Sequence, residues 1–289
     1  MPRSSPQTYL SNRLLRTGIM DPHRRLLILG AVLAGGALLT GVMPAACARL
    51  TRPAQSAARP TRPSGEPKPM LDEDIAPVLA RLDAWFAANL RDRRYAFNPP
   101  ASEAAIDRFQ RRIGRPLPRS WRQLYRWHDG ENDDRWGHFY GLPLLSLGQA
   151  EAEWIVWGKV LAELGDDPYV VRGASWPAGA IDPAYGNPGW IPLTADGSGN
   201  HIGIDLAPWP GGRVGQVILF GRDEDVKVVL APSLGRFLGW IADLLEGGNV
   251  RLGKDPGETI LREFRLKSPA VDHFHEGARR LLGAPGQFL

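Results

Sequence analysis

Apolar residues at Ile75, Leu79, Leu82, Trp85, Phe86 and Leu90 recur at helical spacing and predict a helix between Leu71 and Leu90. Ser102 is placed to cap a second helix, with Glu103 in its first turn, Ile106, Phe109 and Ile113 on one face, and Gly114 to close it. Pro116 and Pro118 frame a turn. A third helix from Arg119 through Trp127 buries Trp121, Leu124 and Tyr125 and stops at Asp129-Gly130. Gly137 to Leu142 reads as a short strand. Ser146 caps a fourth helix running to Leu164, and 165–188, rich in Pro, Gly and Asp, reads as a long loop.

Strand patterns then dominate. They cover 190–193, 201–206, 216–220 and 226–230, with Asp196-Gly197-Ser198-Gly199-Asn200 as a turn and 221–225 as a hairpin connection. Ser233 caps a last amphipathic helix bearing Phe237, Leu238, Ile241, Leu244 and Leu245, which ends at Gly247-Gly248. Helices, then strands, then a helix predict an α+β fold with a mostly antiparallel sheet. Residues 249–289 form a C-terminal extension, with a helix capped by Ser268, initiated by Pro269 and running to Leu282.

The front of the chain has a different pattern. Residues 26–47 carry no charge and follow His23-Arg24-Arg25, as in a signal peptide or an N-terminal membrane anchor over 1–48, with features of the twin-arginine type. Three outcomes stay open: cleavage near Ala46-Cys47-Ala48, lipidation of Cys47, or an uncleaved span. Met1 and Met20 are both candidate starts. Residues 49–70, with five prolines among Arg, Ser and Thr, predict an extended tether. The plainer reading of its positive charge is a solvated spacer and the other is contact with anionic lipid; membrane attachment through the N-terminus stays open.

Charge changes the functional picture once it is divided. The whole chain is +4, yet 69–289 holds 25 basic and 29 acidic residues, a net −4. The basic pI comes from the leader and tether, so the body is not expected to bind nucleic acid. The single cysteine, Cys47, lies outside the body, which excludes an internal disulfide or thiolate metal site there.

No cofactor, metal or catalytic residue is expected. His128, His138 and His201 lack ligand spacing, the 196–200 turn lacks the acids of a calcium loop, and Ser198 lacks the hydrolase elbow pattern. Asp205 follows an apolar strand and is expected to accept backbone hydrogen bonds from the 196–200 turn. Asp129, Glu131, Asp133 and Asp134, followed by Trp136, offer an acidic, aromatic-anchored face for a basic protein partner. Asp196 and Asn200 extend that face. The plainer alternative is a solvated loop. Asp223, Glu224 and Asp225 read as a charged sheet margin.

Gly114-Arg115-Pro116-Leu117-Pro118, Trp121, and Trp127-His128-Asp129-Gly130 resemble the helix-turn-helix of the SUKH superfamily (the Smi/Knr-like family). Trp190-Ile191-Pro192-Leu193, Asp196-Gly197, Gly199-Asn200 and Ile204-Asp205 are similar to its central strand pair. Gly215-Gln216-Val217-Ile218 is similar to the next strand, and Ala231-Pro232-Ser233 with Phe237-Leu238 to the start of its closing helix. The resemblance spans 71–248 as one domain. It gives Leu117, Pro118, Trp121, Gly130, Trp190, Asp205, Gly215 and Phe237 structural roles.

The resemblance implies a fold without known catalytic residues, bacterial immunity proteins that neutralise toxins, and fungal regulators of wall assembly that act by protein contacts. With the leader, this gives a first expectation of an exported, non-enzymatic, immunity-like protein in the periplasm, cell envelope or medium. Its partner would be a toxin with a basic surface. The alternative is a cell-wall assembly scaffold, and an uncharacterised enzyme is the third reading.

Overall fold

The computed structural model describes residues 61–91, 96–132, 136–165, 173–254 and 261–287, all within one compact unit of the chain. The leader, Cys47, residues 49–60, Asp133 and Asp134 lie outside the described residues.

The first helix, α1 (Ala76–Asn89), buries Leu79, Leu82 and Phe86. Pro77 sits in its first turn, where the missing N–H costs nothing. Gln123 accepts the Ile75 N–H, and Asp74 accepts from both Ala76 N and the Gln123 amide, so the α1 start is tied to a later helix. In α2 (Glu103–Ile113) the Ser102 side chain accepts from Ala105 N, and Gly114 closes the helix at φ 70°. Helix α3 (Arg119–Trp127) buries Trp121, Leu124 and Tyr125.

Helix α4 (Leu147–Leu164) opens on a capping box in which Ser146 and Gln149 satisfy each other's backbone N–H groups. Ser146→Ala is expected to cost about 1 kcal/mol, read by urea unfolding; an unchanged midpoint would show that the box is not maintained in solution. Gly137 to Leu142 is a tight turn rather than the expected strand. Phe139 and Leu142 bridge each other, and Tyr140 sits at φ 53°.

Five strands form the main sheet: β1 (Ala174–Trp176), β2 (Trp190–Pro192), β3 (Asn200–Asp205), β4 (Gln216–Gly221) and β5 (Val226–Ala231). Their spatial order is β1-β5-β4-β3-β2, antiparallel except for β1 beside β5. The architecture is α+β. Strand β1 lies inside the stretch expected to be loop.

The sheet is buried on both faces. Ile202, Ile204, Val217, Leu219 and Val228 join the main core with the helices, while Trp190, Ile218 and Phe220 pack with Ala180 and Ile181 in a second cluster. Two apolar faces explain why β4 reads as a nearly continuous apolar run instead of an alternation.

Helix α5 (Leu234–Glu246) is capped by Ser233, whose hydroxyl also donates to Glu73. Residues 61–70 are not a free tether: Lys68 N donates to Gly212 O, Val214 N donates to Lys68 O, and Arg213 reaches Pro69 O. The tail adds an unexpected hairpin, β6 (Arg251–Lys254) with β7 (Leu261–Arg265). Its helix α6 (Phe274–Leu281) starts after His273, later than expected, because Asn249 holds both backbone groups of Ser268 in a turn. Phe274 stacks on Tyr140 at 5.0 Å.

Candidate functional site

The expected acidic face divides between surface and interior. Glu131 is 2% exposed. One of its oxygens accepts His138 N (3.1 Å) and Leu144 N (2.7 Å), and the other meets His138 Nδ1 at 2.9 Å. Asp129 accepts Leu147 N at 2.8 Å and so satisfies the first turn of α4. Gly130 lies between them at φ 72°, where a Cβ would stand 2.2 Å from Ser146 N. Only glycine permits that approach. Phe97 stacks between His128 (4.5 Å) and His138 (3.9 Å), and Trp136 is half-buried against the core. Asp129, Glu131 and the two histidines therefore build the entry to α4.

The 196–200 turn is held by its own side chains. Asp196 accepts from Ser198 N, Asn200 N and the Asn200 amide, and Asn200 Oδ1 accepts Asp223 N at 2.8 Å, joining this turn to the β4–β5 connection. Burial pushes the Asp196 carboxyl up, but His275 and these hydrogen bonds more than offset it and leave it below the usual range. No group of three side chains suited to a metal occurs among the described residues.

Asp205 is fully buried and accepts from Ala207 N and the Gln216 amide, not from the 196–200 turn as expected. Burial, opposed by those hydrogen bonds, pushes it up to about 7. Gly215 closes on the same spot at φ 82°, its N–H donating to Asp205 O. Leu117, Pro118, Trp121, Trp190 and Phe237 are all buried.

A buried polar cluster escaped sequence reasoning. Glu224, read as part of a charged margin, is 6% exposed and pairs with Arg279 and the Gln287 amide; Arg279 also donates to Val226 O. His275 Nδ1 lies 3.7 Å from Glu224, and burial lowers its imidazole to about 4. Lys227, lowered to about 8 by burial, donates to Glu224 O. These contacts fasten α6 to the β4–β5 connection. The only sequence signal was the apolar spacing of a tail helix, which does not say which acid it meets.

An open recess lies on the outside of α4. Only Leu147 and Ala150 of this 18-residue helix are buried. Trp154, Trp157 and Leu161, with Asn187 and Pro188, line a recess of about 280 Å³. Trp154 Nε1 donates to Pro188 O at 2.8 Å. No helix among the described residues is long and apolar enough to cross a membrane.

Residues 100–240 match the SMI1 / KNR4 family (SUKH-1). The chain is 38% identical over 197 residues to the "Cell wall biosynthesis/cell cycle regulator smi1" of Schizosaccharomyces pombe, covering 64% of this chain and 39% of that protein. It is 30% identical over 238 residues to the "Cell wall assembly regulator SMI1" of Saccharomyces cerevisiae, covering 69% and 47%. It is also 30% identical over 232 residues to the "Glucan synthesis regulatory protein" of Neurospora crassa, covering 69% and 44%. The chain thus spans less than half the length of these relatives.

Their names correct the first functional expectation. The relatives are regulators of wall assembly and glucan synthesis, not immunity proteins that neutralise a toxin outside the cytoplasm. The exported placement is corrected with it. It rested on residues 20–48, which lie outside the described residues, and regulators of wall assembly give it no support. Residues 100–240 of this chain thus form a domain of the SMI1 / KNR4 type (SUKH-1).

Proposed function

We propose that the chain is a non-enzymatic regulator of cell-wall assembly that acts through protein contacts. The observation that carries this reading is its similarity to three named fungal wall or glucan-synthesis regulators, over 64–69% of the chain. The working body is 71–248, with 249–289 packed on it. Trp136 and Asp196, both partly exposed, belong to its contact surface. Glu131 and Asn200 support that surface from within.

Deleting the gene is expected to raise sensitivity to a wall-binding dye several-fold and to change wall glucan content, with the full chain restoring both. A deletion strain with unchanged composition and dye sensitivity would overturn the reading.

A further inference from the structure

The net charge of the body conceals one strongly basic stretch. Between Asp107 and Asp129 the chain holds Arg108, Arg111, Arg112, Arg115, Arg119, Arg122 and Arg126 with no acid and no lysine. The rest of 69–289 has 18 basic against 29 acidic residues, a net −11 around a stretch of +7.

Four of these arginines have structural work. Arg122 binds Glu103 and Asp107, Arg126 lies 3.5 Å from Glu103, Arg119 lies 3.5 Å from Asp74, and Arg112 lies 3.2 Å from Glu151. Arg111 and Arg112 also suit the C-terminal end of a helix dipole. That leaves Arg108 and Arg115 exposed, with no ion-pair partner among the described residues, and exposed Arg111 acting only at a distance on Asp107.

Positions 108 and 111 share one side of α2 by helical periodicity, opposite the buried Ile106, Phe109 and Ile113, and Arg115 follows directly after the Gly114 cap. We propose that Arg108, Arg111 and Arg115 form a docking surface for an acidic, carboxylate-rich segment of a partner protein. This rests on the reading of the chain as a regulator that works by protein contacts.

The chemistry and size select the partner. An arginine fork matches a carboxylate in two-point geometry, and three unclaimed forks along one edge favour a row of acids. From Arg108 to the end of α2 at Ile113 the helix spans about 8 Å, with Arg115 two residues beyond. An extended segment covers that length with about three residues. A duplex carries a charge about every 1.7 Å and runs beyond both ends of so short a patch, on a body whose remaining residues sum to −11. An anionic bilayer would press against the exposed Glu103 and Asp107 in the same way.

The test uses the full chain and a fluorescein-labelled peptide with four consecutive glutamates between glycine-serine flanks, read by anisotropy. Arg108→Gln/Arg111→Gln/Arg115→Gln together should weaken binding at least about tenfold, while Arg251→Gln on β6 leaves it unchanged. Raising salt from about 50 to 300 mM should weaken wild-type binding and barely affect the triple variant. Arg115→Gln alone, outside the helix, should give an intermediate loss, with an unchanged circular-dichroism melt. Equal peptide binding by wild type and triple variant, or tighter wild-type binding to a duplex or to phosphatidylserine vesicles than to the peptide, would overturn the proposal. A deletion strain with normal walls beside intact peptide binding would sink the regulator reading alone. Altered walls without peptide binding would sink the arginine surface alone.

Discussion

Glu131→Ala is expected to destabilise the domain by about 4 kcal/mol and to lower its melting temperature by about 10 °C. The carboxylate is buried and serves three donors or acceptors at once: His138 N, Leu144 N and His138 Nδ1. Alanine would leave two backbone N–H groups and an imidazole nitrogen inside the core without partners. Each such loss costs about 1–3 kcal/mol, more than the net value of the hydrogen bond itself. Glu131→Gln is the control. Its carbonyl can still accept both backbone N–H groups, and its amide can donate to His138 Nδ1, so about 1 kcal/mol is expected. Urea unfolding of the two variants separates them. If alanine falls within about 1 kcal/mol of wild type, Glu131 does not hold the loop in solution.

That outcome bears on how a site can be read from sequence. A run of acids after a helix looks the same whether its members face water or the core. What decides is where neighbouring N–H groups point. Gly130, at positive φ, turns the chain so that Glu131 meets the backbone of 138 and 144, and no local pattern encodes that meeting. Where the signal is local, the sequence was sufficient: Ser102, Ser146 and Ser233 each accept from a backbone N–H three residues on, as their positions suggested.

Strand β1 lacked any such signal. It is three residues long, sits among glycines and prolines, and exists because β5, about 50 residues later, supplies a parallel partner. The tail departs from its local pattern for a related reason. Ser268-Pro269 is a good helix start by type, but Asn249 occupies both Ser268 backbone groups and defers α6 to Phe274. The choice between immunity and wall regulation lies further still from the pattern, since one domain type serves both and only the named relatives separate them.

His275→Gln and Asp205→Asn are expected to change the pH dependence of stability by about 2 kcal/mol each between about pH 4.5 and 6.5, with opposite signs. His275 is held at about 4 in the fold, chiefly by burial among Asp196, Glu224, His273, His201 and Arg279, against an ordinary 6.5. Between those values the unfolded chain binds the proton and the folded one does not. His275 therefore costs nothing above pH 6.5 and destabilises progressively as pH falls towards 4. Asp205 is the reverse. Its carboxyl is raised from 3.8 to about 7 by burial, so the folded state keeps a proton that the unfolded state has lost, and stability falls as pH rises through the same interval. The two contributions nearly cancel in the wild type.

Removing one exposes the other. Relative to wild type, His275→Gln should gain stability as pH falls, and Asp205→Asn should lose it. Urea titrations at three pH values measure the difference directly. Parallel curves for both variants and the wild type would mean that neither group is held in the protonation state its burial imposes. The two groups lie in different parts of the interior, His275 on α6 and Asp205 at the end of β3, so their effects should add in the double variant and restore a nearly flat curve.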